Sequence, residues 1–418
     1  MPPDRPELRR ESRESGTNLR HLHRLLDELI ASGTASAAVA LVGAPRRIEL
    51  CLAVGWARGR PPAGRAATAE TWFDYGSLTK PFVATLALVL DRSGELPLAT
   101  RIGEVLTGAA PALATMPLGE LLRHRVRMRA WIPLYALCRS LSEVEALLLS
   151  GDLLDARRGT YSDLDYLLWG LAAERALGRP LAALVADRVL APLGLAGAVA
   201  AMPGDLPQVA ESRMDSGREV ALAAAQGMAA ELLPPPPPGV PQDGNARFLA
   251  GLPAPPAVPP GAPGETGVSG LSLAGLAPAA SPPGGAMWGH SGLFGSAAGL
   301  WRLGAEWLAP GIVLQAEETA AALAGSGPFA LGWWRRRHRG GGGPALSAGS
   351  YGHTGFAGGS LWIDPRQSRV FVLLAHRIDP ARNVNRWRRR FHAAATRALG
   401  AGAGDLGDLK DIEGANRR

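Results

Sequence analysis

A serine and a lysine three positions apart, in Phe73-Asp-Tyr-Gly-Ser77-Leu-Thr-Lys80-Pro81, are the residues of this chain best suited to chemistry. If a helix starts at Ser77, residues three apart share a face, and the hydroxyl and the amine become neighbours. Pro81 fits a first helical turn, where its missing N–H would lack a partner anyway. The run from Phe82 to Leu90 is apolar nearly all round, the mark of a helix buried on every side. It is too short for a membrane span, which needs about 18 or more such residues. Of the 44 Lys and Arg residues only Lys80 and Lys410 are lysines. Arginine stays protonated, whereas a lysine close to burial can give up its proton and act as a base. A serine–lysine spacing also arises by chance, so the pair needs further residues around it before it carries a function.

At 418 residues the chain is long enough for one large or two medium domains. Its net charge of +7 comes from arginines scattered along the sequence, densest at 335–339 and 386–390. Those clusters read as solvated basic surface rather than as a nucleic-acid footprint. The cysteines, Cys51 and Cys138, have neither metal-ligand spacing nor a disulfide framework. Of the histidines only His21 and His23 lie close together, on a helix where they face apart, so no metal or other cofactor is expected. The first residues carry charge without an apolar core, so no secretory signal is expected. No segment is long and apolar enough to span a bilayer. A cytoplasmic protein acting on a small molecule, with neither a membrane nor a nucleic acid as partner, is the expectation.

The elements that must position the pair follow from periodicity. Residues 1–16 are charged and expected to be disordered, and 401–418 to be a flexible tail. Leu22, Leu25, Leu26, Leu29 and Ile30 predict a helix over Leu19–Ala31. Ala37–Val42 and Ile48–Trp56 read as strands, as do Ser360–Asp364 and Arg369–His376 around a Pro365 turn. Leu118–His124, Leu141–Leu149, Asp163–Leu177, Leu181–Leu190, Leu300–Leu308 and Arg382–Leu399 read as helices. The Pro-rich stretch 232–286 reads as an irregular or polyproline-like insertion. With strands and a helix at both ends, an α+β fold is expected: an antiparallel sheet flanked by terminal helices, with a mostly helical lobe inserted. A single domain would run over 17–400, its α/β lobe from about 17–76 and 287–400 and its helical lobe from about 77–286. Ser77 would stand at the seam, where small-molecule sites usually lie.

Two further motifs accompany the pair in order. Gly159-Thr-Tyr161-Ser162-Asp163 precedes a helix, and Tyr351-Gly-His353-Thr354-Gly355-Phe356 runs into the C-terminal hairpin. Ser-x-x-Lys, Tyr-Ser-x and His-Thr-Gly together resemble the serine β-lactamase and penicillin-binding-protein superfamily. The chain is most similar to its class C-like branch, which includes esterases and D-amino-acid-specific peptidases. Leu96–Leu106, Ala191–Leu195, Gly289–Phe294 and Leu361–Pro365 add to the likeness, which covers most of residues 30–395. The resemblance implies Ser77 as nucleophile, Lys80 as general base and Tyr161 as the proton relay. It also implies an oxyanion hole from the backbone N–H groups of Ser77 and Phe356, with His353, Thr354 and Gly355 lining the substrate side.

The chain departs from the family at three places. His353 stands where penicillin-hydrolysing members usually carry lysine, which weakens binding of a β-lactam carboxylate. Val126 and Arg127 replace a small pair, so the loop is expected to take another backbone shape, since non-glycine residues avoid positive φ. Gln242-Asp243 stands where a histidine usually precedes the aspartate. Trp131 and Tyr135 follow the altered loop and offer an aromatic wall for an acyl pocket. His290-Ser291 invites a nucleophile–base reading, but neighbours on a strand or helix point apart. No Gly-x-Ser-x-Gly elbow is present. The expected function is a serine hydrolase of small esters or amides, esterase-like ahead of D-peptide hydrolysis and of true β-lactamase action. The alternatives are a D-amino-acid-specific peptidase or penicillin-binding protein, or a non-catalytic member that keeps the fold as a binding scaffold.

Overall fold

The structure, a computed structural model, describes residues 6–59, 64–132, 134, 138, 140–154, 161–201, 210, 287–336, 341–377 and 383–400. The Pro-rich stretch, Gln242, Tyr135 and the tail lie outside the described residues. In chain order, helix α1 (Pro6–Ala31) leads into strands β1 (Ala35–Ala44), β2 (Arg47–Arg58), β3 (Arg65–Ala66) and β4 (Phe73–Asp74). Helix α2 (Thr79–Ser93), several short turns, α3 (Leu141–Leu149), α4 (Asp163–Leu177) and strand β5 (Val199–Ala201) follow. Then come β6 (Leu293–Gly295), α5 (Ala297–Leu308), β7 (Phe329–Ala330), β8 (Trp333–Arg335), β9 (Tyr351–Thr354), β10 (Ser360–Asp364), β11 (Arg369–Arg377) and α6 (Val384–Gly400).

The main sheet has the order β3-β2-β1-β11-β10-β9-β8-β7, so the first and last strands of the chain lie side by side. Its two central strands explain their sequence. Successive strand residues face opposite sides. In β1, Ala37, Val39 and Leu41 join the core on the α2 and α5 side, while Ala38, Ala40 and Val42 join the core under α1 and α6. In β11, Val370, Val372 and Leu374 alternate in the same way with Phe371, Leu373 and Ala375. A sheet covered on both faces needs apolar residues at every position, hence the unbroken apolar runs. The expected α+β architecture is the one found.

Two readings need correction. The terminal helix begins at Pro6, within the stretch expected to be disordered. Proline suits a first turn, and the helix runs on through Gly16 into the amphipathic half that packs on the sheet. The loop after Leu122 keeps positive φ without glycine: His124 is at 52° and Arg127 at 70°. That conformation costs roughly 1–2 kcal/mol in a non-glycine residue. Its surroundings hold it there, since Val126 and Met128 are buried on either side and the Arg129 N–H donates to the Leu153 carbonyl at 2.7 Å.

Among the described residues no helix is long and apolar enough to cross a membrane. Helix α2 is buried from Thr79 to Leu90, and the turn between β7 and β8 rests directly on it. A Cβ on Gly332, at φ 82°, would sit 2.4 Å from the Ala84 Cβ. Gly332→Ala should therefore destabilise the fold by about 2 kcal/mol or more, through overpacking and a left-handed backbone. A lowered urea midpoint would register it, and an unchanged midpoint would mean that the contact yields freely.

Candidate active site

Ser77 sits in a tight 3₁₀ turn, Gly76–Leu78, just ahead of α2 rather than at its first residue. Three sets of bonds hold that turn. The Gly76 N–H donates to Asp74 Oδ1 at 2.7 Å, the Tyr75 hydroxyl to the Ser296 carbonyl at 2.6 Å, and the Leu293 N–H to Thr79 Oγ1 at 3.2 Å. Beneath them, β4, β6 and β5 form a small sheet that the sequence did not announce, because each strand is two or three residues long.

Lys80 is fully buried, and its Nζ makes three bonds: 3.1 Å to Ser77 Oγ, 2.6 Å to Asp163 Oδ1 and 3.1 Å to the His290 carbonyl. Burial lowers its pKa from the usual lysine value, and the Asp163 carboxylate opposes that shift. For Asp163 itself, burial acts to raise the pKa, but the charge of Lys80 and its hydrogen bond outweigh it and the carboxyl lies below its ordinary value. Both aspartates of this cluster come from the first turn of α4. Ser162 caps that helix, accepting from the Leu164 and Asp165 N–H groups and donating to the Arg129 carbonyl at 2.7 Å. The Asp163 N–H donates to the Ala130 carbonyl at 2.8 Å, which fixes the carboxylate over Lys80.

Tyr161 stands just before that cap, its ring 5.0 Å from Lys80 Nζ and its hydroxyl interacting with Ser77 and Asp163. Desolvation and the Asp163 charge push the phenol well above its usual pKa, so Tyr161 is held as a neutral hydroxyl. Its ring stacks on Trp334 at 5.5 Å and lies 5.8 Å from His353 and 4.6 Å from His124. His353 is buried on β9, its Nδ1 2.9 Å from the Thr354 carbonyl, and burial pulls its pKa down to about 3. It is a neutral imidazole at ordinary pH.

The turn Gly355–Gly359 brings backbone to the serine. A Cβ on Gly76 would lie 3.5 Å from the Phe356 amide nitrogen, and one on Gly355 would strike the Tyr75 carbonyl at 2.5 Å. The motif residues Ser77, Lys80, Tyr161, His353, Gly355 and Phe356 thus meet at one place, with Thr354 beside them on β9. Trp131 is a buried residue, and the ring stacked on Tyr161 is Trp334, a residue that the sequence did not single out. Asp163 was also missed as a partner of Lys80. The available signal was its place directly after Tyr161-Ser162.

His290 and Ser291 do meet, contrary to the neighbour argument. Ser291 Oγ lies 3.1 Å from His290 Nε2, because both sit in a bend between Gly289 and Gly292, at φ 73° and 111°, rather than on a strand or helix. Both side chains are buried, however, and burial lowers the His290 pKa to about 4, a weak base. Ser77 is partly open and faces the stronger base. Among the described residues no His, Cys, Asp and Glu cluster could hold a metal ion.

The family model described as Beta-lactamase matches residues 22–395. The chain belongs to the β-lactamase family. Solved structures show the same fold at low identity. One is EstCE1, described as a hydrolase with promiscuous acyltransferase activity: 20% identity, TM-score 0.65, covering 91% of this chain and 99% of that one. A β-lactamase from Sulfitobacter sp. EE-36 aligns at 19% identity and TM-score 0.63, covering 93% and 99%. A penicillin-binding-protein homologue from Caulobacter crescentus aligns at 16% and 0.61, covering 91% and 98%. None of the curated proteins gives a significant match.

Asp165 supplies a stability test of this β-lactamase-family cluster. It is fully buried, with Oδ2 3.2 Å from His124 Nδ1 and Oδ1 lacking a hydrogen-bond partner among the described residues. Burial, then the Asp163 charge, hold its carboxyl well above the ordinary range. The native state therefore keeps a proton that the unfolded chain releases above about pH 4, and stability falls as pH rises toward the folded pKa. Asp165→Asn has no such proton. Its stability relative to the parent should rise between pH 5 and 7 by up to about 1.4 kcal/mol per unit. Urea midpoints at those pH values measure it, and a difference independent of pH would contradict the assignment.

Proposed function

We propose that the protein is a serine hydrolase that cleaves small esters or amides through an acyl-enzyme on Ser77. The observation that carries this reading is the buried Lys80 amine in hydrogen-bond contact with the Ser77 hydroxyl. In the first step Lys80, in its neutral form, takes the Ser77 proton as Oγ bonds to the substrate carbonyl carbon. Negative charge moves to the carbonyl oxygen, facing the N–H groups of Ser77 and Phe356. Each such donor is worth about 3 kcal/mol in comparable acyl transfer. As the tetrahedral species collapses, the leaving oxygen or nitrogen receives its proton from Lys80 by way of the Tyr161 hydroxyl. Water then attacks the acyl carbon by the reverse route, releasing the acid and restoring Ser77. The high pKa of Tyr161 supports its role as a neutral relay rather than as a phenolate base.

An uncharged acyl substrate is favoured. His353 offers no permanent cation for a carboxylate, and the rings of Tyr161, Trp334 and Phe329 lie together beside it. The esterase-like reading thus stands ahead of D-peptide and β-lactam hydrolysis. The likeness to EstCE1 agrees with it as a matter of fold.

Intact mass after exposure to a fluorophosphonate, a p-nitrophenyl ester or a penicillin tests the reading. The expected result is a phosphonyl adduct mapping to Ser77 and ester turnover without a lasting penicilloyl adduct. Both should be lost in Ser77→Ala and fall at least about 100-fold in Lys80→Arg, whose guanidinium does not give up its proton. No adduct and no turnover in the parent protein would contradict the proposal.

A further inference from the structure

The arginine cluster at 386–390 reads as surface charge, but Arg388 is buried, with 6% of its surface exposed. It projects from α6 beneath the turn that joins β9 to β10. Its Nη2 donates to the carbonyl oxygens of Gly355 and Gly359, at 2.8 and 2.7 Å, and its Nε to that of Gly358 at 3.3 Å. Nη1 donates to Asn385 Oδ1 at 2.7 Å, one turn back on the same helix, which sets the plane of the fork.

The turn needs such a tie. Gly355, Gly358 and Gly359 are three of its five residues, and glycine brings the widest backbone freedom. Two internal bonds cross it, from the Gly355 N–H to the Gly359 carbonyl at 2.8 Å and from the Gly358 N–H to the Gly355 carbonyl at 3.2 Å. In a planar peptide unit the C=O and N–H point opposite ways, so holding the Gly355 carbonyl fixes the direction of the Phe356 N–H, whose nitrogen lies 3.5 Å from where a Cβ on Gly76, next to Ser77, would sit. Planar guanidinium donors can engage several carbonyls at once, which a lysine ammonium at a single point cannot do.

We propose that Arg388 is a positioning residue for catalysis, holding the Gly355–Gly359 turn from behind so that the Phe356 amide stays aimed at the oxygen of the tetrahedral intermediate. The inference rests on the Ser77 acyl-enzyme reading. It predicts a loss in the transition state rather than in substrate binding, because the substrate does not touch Arg388.

The test compares the full-length parent with Arg388→Lys, Arg388→Gln and Asn385→Ala, using p-nitrophenyl ester kinetics, fluorophosphonate labelling and thermal melts. Both Arg388 variants should lose kcat by tenfold or more, up to about 100-fold if the amide moves by about 1 Å, with KM changed less than about threefold. Millimolar guanidinium, too dilute to unfold the protein, should restore part of the rate to Arg388→Gln and none to Ser77→Ala. Asn385 is exposed, so Asn385→Ala should fold, and a smaller loss of kcat at constant KM is expected of it. If the Arg388 variants do not fold, the asparagine variant decides. A kcat within about twofold of the parent in every folded variant would overturn the proposal. A parent that forms no Ser77 adduct would instead sink the underlying hydrolase reading, so the two failures are distinguishable.

Discussion

The structure depends on taking one ammonium group out of water and giving it three acceptors. Lys80 Nζ reaches Ser77, Asp163 and the His290 carbonyl, and these partners come from three separate parts of the chain. Burying a charge without partners is costly. The fold therefore has to bring the 3₁₀ turn before α2, the first turn of α4 and the bend before β6 to one point. The small sheet β4-β6-β5 and the Ser162 cap serve that convergence. The main sheet adds the fourth approach, through β9 and the turn behind it.

Burial then sets the protonation of the cluster. The histidines near Lys80 are held neutral: His124 well below its usual pKa, His290 near 4 and His353 near 3, with burial the largest cause in each. The Asp165 carboxyl is pushed well above its ordinary range by burial and then by the neighbouring Asp163. That leaves the Lys80–Asp163 pair as the place where charge is retained in the centre of the site. An amine whose pKa is pulled down by burial and partly restored by one carboxylate is poised between proton acceptor and proton donor. Proton traffic through an acyl-enzyme needs that balance.

Much of this was legible in the sequence. The apolar runs of β1 and β11 marked them as strands of one antiparallel sheet, and the Ser-x-x-Lys, Tyr-Ser and His-Thr-Gly motifs marked residues that meet in space. What escaped were interactions that have no local pattern. Asp163 pairs with a residue 83 positions away, and Arg388 looks like its surface neighbours until the helix is rotated onto the sheet. Trp334 reaches Tyr161 from β8, which like its neighbour β7 is too short to predict. The Arg127 backbone broke a rule of single residues because packing on both sides outweighed a cost of roughly 1–2 kcal/mol.

The central claim is that Lys80 accepts the Ser77 proton and that Asp163 sets how readily it does so. The pH dependence of kcat/KM for an ester in the parent protein and in Asp163→Asn tests it most directly. The carboxylate raises the Lys80 pKa, so removing its charge should lower that pKa further and move the acid limb of the profile to lower pH. An acid limb that stays in place, or moves to higher pH, would contradict the account.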